Sequence, residues 1–379
     1  MKKIFSLILL AVLLLGCTIN DLPEDAIEKK PEPTVKEDIR INFLAVGDNL
    51  IHGAIYNEPS FIANGYDFTP IYSEVKGRIQ AADIAYINQE TMLGGRELGL
   101  ESYPMFNSPQ EIGDAVIDAG FDWVNHATNH TLDVGETGVI KTLEYWDDKA
   151  NIQVTGIARN NEEANTSRII DKDGVRIGLI AYTYGTNGIP VPSGKDYLVN
   201  LIDKERMQKD IENLKGKTDS IAVSLHWGIE YSFTESEEQA DIAQFLADLG
   251  VDVIIGTHPH VIQPIKRVTG KDGNETLVIY SLGNFLSAQD QNYRMLGGIA
   301  SWDLVFNPND KTTKIEAVSF EPTINYYSSA FQKFKIYPIK DYTDEIARTH
   351  GLAASQNMSK QYFIDIVDKV MGDDVEIIY

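Results

Sequence analysis

Cysteine is almost absent: Cys17 is the only one in 379 residues. A lone cysteine closes no internal disulfide and builds no Cys-based zinc site. Positive charge is scarce as well, with 33 Lys and Arg against 56 Asp and Glu, a formal net charge of −23. That balance excludes the basic face a nucleic-acid-binding protein needs and disfavours simple attraction to anionic lipid. Long apolar runs are missing too. The longest, from Ile4 to Leu15 and broken by Ser6, is much shorter than the roughly 20 residues of a membrane-spanning helix. No internal repeat is visible, and no low-complexity run beyond the first forty or so residues.

The start of the chain does carry a pattern. Met1-Lys2-Lys3, the short apolar core and Leu14-Leu15-Gly16-Cys17 read as a bacterial export signal of about 16 residues. Leu-Leu-Gly-Cys looks like a lipobox, which gives Cys17 a reason to exist as a lipidation site. Two or more acyl chains anchor stably, whereas one is marginal. Residues 17–38 hold Pro23, Pro31 and Pro33 among charged residues and read as a disordered tether. The expected location is the extracytoplasmic face of the cell membrane, with the membrane as a partner through lipidated Cys17. The folded domain is expected over 39–379.

With 43% hydrophobic residues that domain has ample material for a core. Short apolar runs alternate with helices of about ten residues, the mark of an α/β fold. Strands are predicted at Ile41–Val46, Ile84–Ile87, Phe121–Val124, Val175–Tyr182, Ile221–Leu225, Val251–Ile255 and Leu277–Tyr280, with an antiparallel pair from Trp302–Phe306 and Lys314–Phe320. Helices are predicted at Glu111–Ala119, Gly138–Asp148, Asp203–Leu214, Ser236–Leu249 (opened by the capping pattern Ser236-x-x-Gln239) and Tyr362–Met371.

Five of these strands end in residues able to bind metal: Asp48, the Asn88/Glu90 pair, Asn125/His126, His226 and His258/His260. In open α/β sheets ligands bind beyond the carboxyl ends of the strands, so such residues converge in space. Six of the seven histidines (His52, His126, His130, His226, His258, His260) lie in or just after these segments; His350 does not. A His, Asp, Glu and Asn mix without Cys suits Mn, Fe or Zn in a catalytic rather than a structural site.

The segments Val46-Gly-Asp48, Asn88-Gln-Glu90, Asn125-His-Ala-Thr-Asn129-His130-Thr-Leu-Asp133-Val-Gly135, His226-Trp-Gly-Ile-Glu230, Gly256-Thr-His-Pro-His260-Val and Ser281-Leu-Gly-Asn-Phe285 resemble the CapA/PgsA family, associated with poly-γ-glutamate capsule synthesis. The core motifs run over 41–306. That family resembles calcineurin-like metallophosphoesterases, so the resemblance implies a sandwich of two mixed β-sheets flanked by helices. It further implies that Asp48 and His260 hold one divalent metal, that Asn129, His226 and His258 hold a second, and that Glu90 bridges them. His130 would sit where the phosphoesterases keep a general acid, with Asp133 beside it. Two departures stand out. The phosphoesterase Asp-x-His becomes Asp48-Asn49-Leu50, with His52 the nearest histidine. The Gly-Asp-x-x-Asp motif becomes Asn88-x-Glu90. One ion or two remain open. Asp133 and Glu230 either orient ligand histidines or serve as surface or capping residues, and Asn284 either meets the site or makes a turn.

Three functions follow: a metal-dependent hydrolase or transferase acting on an extracellular polymer or phosphoester; a non-catalytic accessory subunit of a membrane-bound capsular polymer synthase or exporter; and, last, a solute-binding lipoprotein, disfavoured because no duplicated lobe is seen. The first two fit a role in synthesis, export or processing of poly-γ-glutamate or a similar capsular polymer.

Overall fold

The structure, a computed structural model, describes residues 36–372 and 375–379. The expected signal 1–16, Cys17 and nearly all of the tether 17–38 lie outside the described residues.

β1 (Ile39–Asn49), β2 (Ile84–Gln89), β3 (Trp123–Asn125) and β4 (Gln153–Thr155) lie side by side and parallel. β5 (Arg168–Lys172) and β6 (Val175–Thr183) form an antiparallel hairpin whose Asp173-Gly174 turn has φ of 52° and 83°. Two positive φ values in a two-residue turn match the right-handed twist of the strands it joins. β6 continues a parallel run through β7 (Ser220–His226) and β8 (Val253–Thr257). β9 (Ile262–Thr269) returns antiparallel to β10 (Glu275–Leu282), which is parallel to β8. The short β11 (Asn284–Leu286) runs parallel to the end of β1. β12 (Leu296–Asn307), β13 (Thr312–Ser328) and β14 (Gln332–Pro338) then extend the first sheet antiparallel from β1, and β15 (Glu376–Ile377) pairs with β13. Two mixed sheets result, in the orders β14-β13-β12-β1-β2-β3-β4 and β5-β6-β7-β8-β10-β9.

The sheets pack face to face. Leu179, Ala222, Ile255 and Ile279 of the second share a core with Phe43, Ala45, Tyr86 and Trp123 of the first. Their strand neighbours Ile180, Val223, Leu225 and Ile254 point the other way, onto Met207, Ile211, Ile242 and Leu246 of the helices Lys204–Leu214 and Glu237–Asp248. Burial on both faces is why these strands read as unbroken apolar runs. The expected sandwich is the one found. The second helix opens with the predicted capping box between Ser236 and Gln239. The sequence-predicted strands all exist, though they belong to two sheets; β4, β5, β9, β11, β14 and β15 were not predicted.

One device repeats four times. Asp83, Asp122, Asp219 and Asp252 each stand just before or at the mouth of a parallel strand, and their carboxylates accept from the backbone N–H of Asn42, Ala85, Arg176 and Ile221 at 2.8–2.9 Å. Each Asp N–H donates back to the carbonyl of the same residue. This reciprocal pair of hydrogen bonds holds neighbouring strands in register at their amino ends. It thereby fixes which residues emerge together at their carboxyl ends.

Candidate metal centre

The carboxyl ends of β1, β2 and β3 in one sheet meet those of β7 and β8 in the other. Asp48 reaches this meeting point because β1 and the turn before β11 approach closely: a Cβ on Gly47 would lie 1.9 Å from the carbonyl oxygen of Gly283. The Asp48 N–H donates to that oxygen at 2.9 Å. On the opposite side the His-Pro-His turn is strained, with φ of 97° at His258 and 58° at His260. Left-handed conformations at non-glycine residues cost about 1–3 kcal/mol each and cluster at functional sites.

These two loops bring Asp48 Oδ2 to 3.0 Å from His260 Nδ1. The backbone N–H of His258 and the Asn88 amide donate to the same carboxylate. Glu90 Oε1 lies 3.7 Å from His260 Nε2 and 3.8 Å from His226 Nε2. His226 Nε2 is 2.9 Å from Asn129 Oδ1, and the His258 ring is 4.8 Å from that of His226. All six residues assigned to metal by resemblance therefore come together, and all are buried.

Glu90 decides what the cluster is for. Both of its carboxylate oxygens are buried without a hydrogen-bond partner among the described residues, as is His258 Nδ1. Burying an ionised carboxylate without partners is costly, and burial, reinforced by Asp48, Glu230 and Asp133 and opposed by His260, drives the Glu90 pKa well above the carboxylate range. At His260 burial opposes the charge, but Glu90 and Asp48 outweigh it and raise the ring to about 9. Burial, with the neighbouring histidines, holds His258 down at about 3 and His226 well below the usual value. Unpartnered oxygens beside neutral imidazoles are a donor set that fits a divalent cation. Single donor atoms of Asp48, Glu90 and His260 lie within 4.8 Å of one another.

The remaining predicted residues divide. Asn88 and Asn125 support the centre: Asn125 donates to Asn88 Oδ1 at 2.7 Å, and Asn88 to Asp48 Oδ1 at 2.9 Å. Asn284 meets the site, its Oδ1 3.1 Å from His260 Nδ1. His130 Nδ1 sits 2.7 Å from Asp133 Oδ2, which also accepts the Phe106 N–H. His52 lies one ring away, edge-on to Phe106, which is edge-on to His130; its Nδ1 accepts from the Ala288 N–H. Glu230 is exposed at the rim. His126 alone turns away: its Nε2 accepts from Trp146 Nε1 at 2.9 Å, on the helix Gly135–Asp147. At the position where the phosphoesterase pattern has its histidine, Leu50 is buried and, as expected from the sequence, offers no ligand atom, and Asn49 bonds with Gln89 and Tyr72.

Two residues of the site were not anticipated. Tyr184 lies over His258 with ring centres 4.6 Å apart, and Asn187 Oδ1 accepts from the Asn129 amide at 3.2 Å. Both follow the carboxyl end of β6, so the strand-end rule finds them once it is applied to a strand that ends in no histidine.

A family model, Bacterial capsule synthesis protein PGA_cap, matches residues 42–289. Capsule biosynthesis protein CapA of Bacillus anthracis is 31% identical over 192 residues, 48% of this chain and 44% of that protein; the match thus spans less than half the relative's length. Among solved structures, a Staphylococcus aureus protein designated a 5′-nucleotidase, in complex with α-ketoglutarate, has a TM-score of 0.50 at 19% identity over 76% of this chain and 55% of its own. The calcineurin-like phosphoesterase YfkN from Bacillus subtilis has a TM-score of 0.44 at 14% identity, covering 88% of this chain and 99% of its own.

Proposed function

Because the chain belongs to the bacterial capsule synthesis protein family PGA_cap, we propose that it is a metal-dependent hydrolase or transferase acting on a capsular polymer of poly-γ-glutamate type. It works at the outer face of the cell membrane, held there through Cys17 and beside the polymer's synthase or exporter. The observation that carries the catalytic reading is the unpartnered, buried Glu90 carboxylate among His226, His260 and Asp48.

Asp48, Glu90 and His260, with Asn129, His226 and His258, would hold one or two divalent ions. When bound, such an ion supplies Lewis acidity toward an acyl or phosphoryl oxygen. The protein's own residues do the rest. Asn88, Asn125 and Asn284 fix the orientation of Asp48 and His260. Asp133 holds the His130 ring through Nδ1 and leaves Nε2 free to protonate a leaving group. Phe106, edge-on to the His130 ring, limits water around that proton.

The test is elemental analysis of the purified protein beside the His226→Ala/His258→Ala double variant, followed by turnover of phosphomonoesters and γ-glutamyl oligomers. Near-stoichiometric Mn, Fe or Zn that the variant loses, with turnover, supports the reading. Stoichiometric metal without turnover of any such substrate moves the protein to an accessory role in the synthase. No metal, even after reloading, ends the catalytic reading. Mass spectrometry of the mature amino terminus tests the lipid anchor, and an unmodified Cys17 overturns it. A deletion strain with unchanged surface polymer overturns the capsule role.

A further inference from the structure

The centre is rich in negative charge. Asp48 and Glu90 lie inside it, and exposed Glu230 stands at its rim and acts on both Glu90 and His260. An anionic substrate approaching such a site needs cations placed by the protein as well as by bound metal. Most basic residues here are spent on carboxylates: Arg40 on Asp303 and Glu316, Arg176 on Asp219, Arg159 on Asp147.

Arg294 is different. Its guanidinium lies over the Tyr231 ring, the central carbon 3.6 Å from the ring centroid. Its Nε and Nη2 reach the Tyr293 hydroxyl at 3.3 Å. The carboxylate it pairs with, Asp290, is 4.0 Å from Nη1 and 74% exposed, and Nη1 makes no hydrogen bond among the described residues. Stacking on Tyr231 and the bonds to the Tyr293 hydroxyl, more than ion pairing, hold the group, and the end edge, Nη1 with the second N–H of Nη2, stays available at little further cost in side-chain freedom.

Two independent links tie this group to the metal centre. Tyr231 packs against His260 with ring centres 6.1 Å apart; its N–H donates to the Pro259 carbonyl at 2.8 Å, and its backbone is left-handed with φ of 64°. The Arg294 carbonyl accepts from the Asn284 amide at 3.0 Å, and Asn284 contacts His260. The Arg294 backbone and head are thus both fixed relative to a proposed metal ligand.

We infer that Arg294 is a substrate-binding residue that takes an oxyanion of the substrate next to the centre: a carboxylate of a polymer unit flanking the scissile bond, or a phosphate. This rests on the functional reading above and adds the chemistry of the group bound beside the reacting bond. A planar guanidinium grips either oxyanion through two parallel N–H bonds. A lysine supplies charge without that fork.

The experiment is calorimetric binding of a γ-linked glutamate trimer, and separately of inorganic phosphate, to the Mn²⁺-loaded full-length protein. Wild type is compared with Arg294→Gln and Arg294→Lys, and metal content is measured for all three. We expect Arg294→Gln to retain metal and to bind one of these anions about tenfold more weakly, with Arg294→Lys recovering part of the loss. A loss confined to the trimer assigns a carboxylate, and a loss confined to phosphate assigns a phosphate. Unchanged affinity for both overturns the inference. So does a metal-loaded wild type that binds neither, which leaves the metal centre itself standing. A wild type that takes up none of Mn²⁺, Fe²⁺ or Zn²⁺ sinks the functional reading and this inference together, because the carboxylates then repel any anion.

Discussion

His260 Nδ1 stands 3.0 Å from Asp48 Oδ2 although 212 positions separate them, and the two residues leave different sheets. The pair is held from both sides. Asp48 receives the His258 N–H and the Asn88 amide, and the His260 ring meets Asn284. Glu90, beside them, has no such support. The centre therefore joins a rigid, internally satisfied half to a carboxylate that only a cation satisfies. That asymmetry yields the first prediction.

Glu90→Gln should act in opposite directions with and without metal. Burial raises the Glu90 pKa in the metal-free fold, so its ionised form opposes folding at neutral pH, and a neutral isostere relieves the cost. The metal-free variant should melt about 2–4 °C above metal-free wild type. Wild type should gain stability on Mn²⁺ addition by mass action, and the variant should gain little. Thermal melts of both proteins with and without Mn²⁺ decide it. A variant that melts lower than metal-free wild type rules this account out.

His126 shows how far the strand-end pattern could be read. Five strand termini were legible, because a ligand at a parallel strand end must be a polar residue directly after an apolar run. Which face that residue takes was not legible for consecutive positions: Asn125 points to Asn88, whereas His126 points to Trp146. His126→Ala should therefore cost stability, about 2–4 kcal/mol in urea unfolding for a buried ring and its hydrogen bond. The folded fraction should keep its full metal content. Metal loss at wild-type stability would return His126 to the site.

Asp252 bears on what the sequence left hidden in the fold. The apolar runs of β7 and β8 announce themselves. Their register is held at this end by a single half-buried carboxylate that accepts the Ile221 N–H, the Ser220 hydroxyl and the Thr313 hydroxyl at 2.7–2.9 Å. An Asp before a strand looks like an ordinary turn residue, and only its repetition at Asp83, Asp122 and Asp219 marks it as a device. Of the missed edge strands, β15 is only two residues long, whereas β14 does alternate, with Phe334 and Ile336 buried, and was legible in the sequence. Asp252→Ala leaves three donors unsatisfied and should destabilise by about 2–4 kcal/mol. Because register at the amino ends sets alignment at the carboxyl ends, metal affinity should fall as well, though Asp252 touches no ligand. Denaturant titration and metal binding on one preparation check both parts; full stability refutes the first, unchanged affinity the second.

His350, the one histidine outside the strand-end pattern, predicts the acid behaviour of the fold. Its Nε2–H donates to the Asn325 carbonyl at 3.1 Å, and its Nδ1 accepts from the Leu352 N–H at 3.1 Å. The neutral tautomer satisfies both contacts. A second proton on Nδ1 would face the Leu352 donor. Burial, only partly opposed by the Asn325 contact, lowers the pKa to about 4. A folded pKa below the unfolded value of about 6.5 means the unfolded chain binds the proton first. The contribution is thus fully present above pH 6.5 and is lost as pH falls from there toward 4, by about 3 kcal/mol at most. His350→Gln removes the titrating group and keeps an amide able to reach Asn325. Its melting temperature should lie below wild type at pH 7.5, and it should decline less steeply between pH 6.5 and 4. Parallel decline of the two proteins across that window would show that His350 titrates alike in the folded and unfolded chain.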